Sequence, residues 1–174
     1  MNNNAPKPDA ESLLISQALD GSTQAVDVLY NRYLNLVYNY VYYRIGQKRD
    51  TEELTEKIFI KAFEHLRKYP KREYFLAWIL KFASQEVRRF QTTAIEKKIE
   101  APDLYLSDEQ EKLMRVLKSL NEKSYQFVVA RFFNGLSEQA TGKILGITLE
   151  QFDDTQFQAI KALEKLLKKD GQNG

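Results

Sequence analysis

The segment from Ser22 to Arg44 constrains the chain more than any other. Its apolar side chains are Ala25, Leu29, Tyr33, Leu36, Val37, Tyr40 and Val41, spaced mostly three and four apart. That spacing gathers them on one face of a helix, whereas a strand would scatter them over both faces. The pattern recurs at Leu54, Ile58, Phe59, Ala62, Phe63 and Leu66, and again at Phe75, Trp78, Ile79, Phe82, Ala83 and Val87. Only 7 glycines and 4 prolines stand among 174 residues, too few for a turn-rich β architecture, and helix formers fill the intervals. The expected fold class is all-α.

The breaks between stripes divide the chain. Residues 1–8 are polar and proline-containing, with nothing apolar to bury, and are expected to be disordered. Ala10 to Leu19 gives a short helix closed by Asp20-Gly21, and Ser22 is placed to cap the next, which Ile45-Gly46 closes. A third helix opens at Asp50 and breaks at Tyr69-Pro70, and a fourth runs from about Arg72 to Phe90. These make a first domain over residues 9–90. Residues 91–107 have weak periodicity and contain Ala-Pro-Asp, which reads as a linker. A second domain over 108–169 holds helices at about 108–119, 122–134, 137–145 and 148–168, with a tail at 170–174 expected to be disordered. The last two helices, short then long around Gly146, have the pattern of a helix-turn-helix.

Residue content excludes much chemistry. The absence of cysteine removes disulfides, thiolate catalysis and cysteine-ligated zinc, and a lone His65 removes a histidine-pair metal site. Glu52 and Glu53 are neighbours on one helix and do not face each other across a cleft. Gly46, Gly135, Gly142 and Gly146 are isolated, so no glycine-rich phosphate loop is formed. Neither an enzyme nor a bound cofactor or metal is expected. The opening MNNNAPKPDAES has no apolar signal core, and no apolar run reaches the roughly 20 residues that span a bilayer. The expected location is the cytoplasm, away from membranes. Charge is unevenly spread: Arg67 to Arg89 holds seven basic and two acidic residues, whereas Gly135 to Leu166 holds three basic and five acidic ones.

Three segments resemble the extracytoplasmic-function (ECF) type of RNA polymerase sigma factor. Residues 50–63, Asp50-Thr51-Glu52-Glu53-Leu54-Thr55-Glu56-Lys57-Ile58-Phe59-Ile60-Lys61-Ala62-Phe63, are similar to that family's D-A-E-D-L-T-Q-E-V-F-L-K-A-F. Ala25 to Tyr33 resembles its A-x-x-x-L-Y-x-R-Y helix, and Phe75 to Ala83 its F-x-x-W-L-x-x-I-A helix, in the family's order. The resemblance implies that Asp50, Glu52, Glu53, Leu54, Glu56, Phe59 and Phe63 dock on the coiled coil of the clamp of core RNA polymerase. It also implies that Lys71, Arg72, Trp78, Lys81, Gln85, Arg88 and Arg89 meet the melted minus-ten element of promoter DNA. A melted strand calls for cations near phosphates and aromatic support for unstacked bases, and Tyr69 and Tyr74 lie close enough to supply the latter. Gln85 stands where the family commonly has Asn. Each apolar stripe, taken alone, is equally what a helical core requires.

The second domain departs further from the family. Residues 113–133 resemble its L-x-x-x-L-x-x-L-P-x-x-x-R-x-V-x-x-L-R-F-F segment, with Asn121 replacing Pro. Ala140-Thr141-Gly142 stands for its E-I-A, and Thr141 and Gly142 are each expected to cost on the order of 1 kcal/mol or more. In the recognition helix Thr148, Gln151, Thr155 and Gln158 are the candidate base contacts for a minus-thirty-five element, yet Asp153 and Asp154 bring carboxylates toward phosphates. The expected function is a sigma factor that directs core polymerase to promoters and helps open the minus-ten element, monomeric when free, with an anti-sigma factor or activator as a further candidate partner. Two alternatives stay open: a sigma paralogue that binds polymerase or a regulator without reading a minus-thirty-five element, and an unrelated helical DNA- or partner-binding protein.

Overall fold

A computed structural model describes residues 10–70, 74–96 and 108–170. They form α1 (Ala10–Leu19), α2 (Thr23–Ile45), α3 (Lys48–Glu64), a 3-10 turn (Leu66–Lys68), α4 (Phe75–Glu96), α5 (Asp108–Ser119), α6 (Glu122–Val128) continuing into a π-helical turn (Val129–Phe133), α7 (Glu138–Leu145) and α8 (Phe152–Asp170). The all-α class is what forms. The expected disordered start and tail lie outside the described residues, except for Asp170, which ends α8. Most of the expected linker lies outside them too, but its first residues, 91–96, continue α4, where Thr92 Oγ1 donates to Arg88 O at 3.0 Å.

The caps show why the helices begin and end where they do. Ser22 Oγ accepts from Ala25 N at 3.2 Å, and Gly46, with φ of 82°, closes α2 by donating to Tyr42 O at 2.7 Å. Asn121, in the place of the family's proline, caps α6 by accepting from Ser124 N at 3.0 Å. It therefore satisfies a backbone donor that a proline could only have left without a side-chain partner. Ser137 does the same for α7, accepting from Ala140 N at 3.2 Å. Between α7 and α8, Thr148 Oγ1 accepts from Gln151 N at 3.3 Å while Gln151 Oε1 accepts from Thr148 N at 3.1 Å. This reciprocal cap holds one tight turn, and α8 starts at Phe152 rather than at Thr148.

The helices α2, α3 and α4 pack on one another, with α1 laid across α2, while α5 and α6 pack on α8. Leu29, Val37, Ile58, Phe75 and Ile79 are fully enclosed in the first half, and Leu117, Tyr125, Phe127 and Phe152 in the second. The two cores join, because α2 also packs against α5 and the π turn, and α4 against α7. At this seam Arg44 Nη1 donates to Lys118 O at 3.2 Å and Leu120 O at 3.4 Å, and Nη2 lies 3.1 Å from Glu122. The Arg44 guanidinium sits 3.7 Å over the Tyr125 ring. Tyr125 donates to Tyr40 O, Tyr40 donates to Glu122, and Asn39 Nδ2 donates to Asn134 Oδ1 at 2.7 Å. Burial and the neighbouring Glu122 raise the Tyr40 pKa, so its phenol stays a donor.

The two expected costs in α7 resolve differently. Thr141 is fully buried and its hydroxyl has no hydrogen-bond partner among the described residues, as a polar group in an apolar position would lead one to expect. At Gly142 a Cβ would lie 3.2 Å from Ile147 O, so the turn's close approach offsets part of the helix-propensity cost of glycine.

Candidate functional site

Two flanks of α3 and one stripe of α4 bring together most of the residues singled out from the sequence. On the flank facing α2, a groove of 810 Å³ is lined by Tyr30, Leu34 and Tyr38 of α2 and by Glu52, Glu53, Glu56, Ile60 and Phe63 of α3. Glu52, Glu53 and Glu56 are exposed, Asp50 and Phe63 are half-buried, and Ile60 is 51% exposed. Leu54 lies in the core beneath the groove, and the buried Phe59 forms part of its floor, packed edge-on against Tyr30 at 4.7 Å. They anchor α3, and Ile60 and Phe63 are the more exposed apolar side chains of the groove. Ile60 was missed because it falls off the main apolar stripe, and an isoleucine among charges was the signal available for it. Lys48 lies 3.9 Å from Glu52 and Arg49 lies 3.2 Å from Glu53. Exposed pairs of this kind, with the base on the N-terminal side, are weak. Burial, then the nearby Glu52 and Tyr42, push the Tyr38 phenol up.

Along α4 the exposed side chains include Lys81, Gln85, Arg88 and Arg89, four, three and one residues apart. They form a polar, cationic stripe about 12 Å long. Trp78 is 6% exposed and packed against Tyr69 at 5.4 Å, Phe75 at 5.7 Å and Phe82 at 5.0 Å. It stiffens the start of α4 from inside and is not presented as a stacking surface. Tyr69 belongs to this same aromatic cluster. Tyr74 is half-buried, its phenol raised by burial and Glu11 despite Arg32, and Lys143 of α7 lies 5.8 Å from its ring. Lys71 and Arg72 lie outside the described residues.

The helix-turn-helix is formed by α7 and α8 around Gly146, which has φ of 65°. Thr148 and Gln151 are exposed and engage each other in the cap, whereas Thr155 is 6% exposed and turned inward. Gln158 is exposed. Glu150, Asp153 and Asp154 are exposed as well, and Phe157 stands 58% exposed with Lys161 5.7 Å from its ring. The outer face of α8 is thus acidic and aromatic near its start.

Among the described residues no group of acids and histidine could hold a metal ion, and no helix is long and apolar enough to cross a membrane.

Known proteins share these features. The Sigma-70 region 2 family model matches residues 29–94, from α2 to α4. The ECF RNA polymerase sigma factor BldN of Streptomyces coelicolor is 27% identical over 188 residues, covering 96% of this chain and 71% of that protein. The ECF RNA polymerase sigma factor SigX of Bacillus subtilis is 22% identical over 162 residues, covering 82% of this chain and 83% of that protein. Among solved structures, CnrH in complex with the cytosolic domain of CnrY shares the fold with a TM-score of 0.65 at 22% identity, covering 93% of this chain and 99% of that one. RpoE of Bartonella quintana, crystallised with the anti-sigma factor NepR, has a TM-score of 0.54 at 16% identity, covering 82% of this chain and 96% of that one. The region 2 match lies over the acid-lined groove and the cationic stripe, and the chain is similar over most of its length to ECF RNA polymerase sigma factors, which supports an ECF-type sigma factor acting in transcription initiation.

Proposed function

We propose that the α2–α3 groove is the surface that docks on the clamp coiled coil of core polymerase, and that the α4 stripe, with Lys71 and Arg72 before it in the sequence, holds the opened minus-ten strand. The groove carries this reading. Exposed Glu52, Glu53 and Glu56 surround the apolar Ile60 and Phe63, which suits a basic helical partner whose charges are steered and whose apolar side chains are buried. The protein then works in the cytoplasm, where polymerase and chromosome are. By analogy with the RpoE relative, an anti-sigma factor is a candidate regulator.

The seam bears on how both ends of the chain could work at once. Minus-ten and minus-thirty-five elements are about 25 base pairs apart, or about 85 Å of duplex. A folded chain of 174 residues is about 40 Å across. Simultaneous contact therefore requires α5–α8 to leave α2 and α4, with residues 97–107 as the tether.

Charge reversal tests the docking surface. Glu53→Lys is expected to weaken core-polymerase binding at least severalfold at moderate salt, measured by fluorescence anisotropy, while the thermal unfolding midpoint stays unchanged because the side chain is exposed. Undiminished affinity would remove this groove from the interface.

A second reading is favoured by α8 alone. Its outward Asp153 and Asp154 and its inward Thr155 suit a helix kept for a protein contact, as in a sigma paralogue that binds polymerase without reading a minus-thirty-five element.

A further inference from the structure

Glu86 is a buried carboxylate that neither the groove nor the α4 stripe uses. Its side chain is 3% exposed and turned toward α3, with Lys57 Nζ 2.8 Å from Oε2 and Lys61 Nζ 2.5 Å from Oε1. Arg89 Nη1, one turn along α4, lies 3.0 Å from Oε1. Burial pushes this carboxyl up, but the hydrogen bonds and charges of Lys57 and Lys61 outweigh it and hold the group below the usual carboxylate range. Three cations thus converge on one anion, and two positive charges in the cluster are left uncompensated. Cations held this close repel one another unless a further anion shares them.

The cluster is placed to meet such an anion. Lys57 and Lys61 are one turn apart on the flank of α3 that faces α4, beside the groove, whose Glu53 lies one turn before Lys57 and whose Glu52, Glu56 and Phe63 are turned further away. Lys57 and Arg89 keep more than half of their side-chain surface in solvent. Arg89 is also a member of the α4 stripe, so the cluster is a lateral extension of that stripe onto α3. Glu86 keeps the long side chains ordered, which lowers the entropy lost when they bind.

The geometry points to a second row of phosphate contacts: Lys57 and Lys61 of α3, tied to Arg89 of α4 through Glu86, grip the sugar–phosphate backbone of the strand that the α4 stripe holds. This rests on the reading of α4 as a promoter-strand surface. Under it, α3 serves two partners, with its acidic flank toward polymerase and its basic flank toward nucleic acid.

The test is the salt dependence of binding between the full chain, assembled with core polymerase, and a labelled single-stranded DNA 12-mer of mixed sequence. Removing both lysines would leave the buried Glu86 with Arg89 as its one remaining partner in the cluster, so the variant is the triple Lys57→Gln, Lys61→Gln, Glu86→Gln, checked for folding by circular dichroism. The expected result is a severalfold loss of affinity and a fall of about 1.4 in the slope of log K against log salt, the value for two single-strand phosphate contacts. Lys57→Arg with Lys61→Arg, with Glu86 kept, should retain the wild-type slope. An unchanged slope in a folded triple variant would overturn the proposal and make the cluster a brace between helices. If the slope then still falls with Lys81→Gln and Arg88→Gln, the promoter-strand reading of α4 survives alone. If neither set changes it, that reading fails as well.

Discussion

The helices α3 and α8 both carry acids near their starts and bury an apolar stripe, and they use those acids to different ends. At a helix N-terminus such residues are locally favourable whatever the function, because they complement the macrodipole. On α3 the acids border a groove completed by Tyr30, Leu34 and Tyr38 of α2, with Ile60 as an apolar centre. On α8, Asp153 and Asp154 project beside Phe157 from the second helix of a helix-turn-helix, where a DNA reader would carry bases. Asp153 and Asp154 lie in the first turn of α8, where the dipole favours them, whereas Glu52, Glu53 and Glu56 lie beyond the first turn of α3, where only Asp50 has that support.

Three substitutions separate the halves. Arg44→Ala removes the bonds to Lys118 O, Leu120 O and Glu122 and the contact with the Tyr125 ring. It is expected to cost about 2–3 kcal/mol in urea unfolding, with core-polymerase affinity maintained because Arg44 is not among the residues that line the groove. Glu86→Gln acts on the first half alone, with an expected loss of about 1–2 kcal/mol at pH 7. Because the folded-state pKa of Glu86 is lowered, its contribution is fully present above the unfolded carboxylate value of about 4.3 and is lost as pH falls through the folded value. The stability gap between wild type and Glu86→Gln should therefore be flat at neutral pH and close below about pH 4, as read from unfolding curves across pH. Thr141→Val acts on the second half alone. It replaces a buried hydroxyl without a protein partner by a methyl group and should stabilise by about 1 kcal/mol, seen as a raised unfolding midpoint.

Much of this fold can be read in the chain, for reasons that particular residues make plain. The stripes at Leu29–Val41 and Phe75–Val87 repeat at the helical period and become cores. Ser22, Asn121 and Ser137 become the caps because their side chains act within three residues. What escaped depends on direction or distance. Leu54, Phe59 and Trp78 match family positions, and their inward direction is something family position does not by itself specify. The start of α8 shifts to Phe152 because Thr148 and Gln151 spend their side chains on each other, and Thr155 then faces inward. The Glu86 cluster joins residues 25 apart on two helices, and no local pattern signals it. The seam bonds span 74 residues and more, beyond any periodicity.

Transcription in vitro, with this protein, its own core polymerase and fragmented genomic DNA, tests the account most directly when RNA start sites are mapped. The expected result is a set of protein-dependent starts that share a minus-ten motif and only weak sequence agreement at minus thirty-five. Tight core binding without a single protein-dependent start would contradict it and leave the regulatory paralogue as the account of the chain.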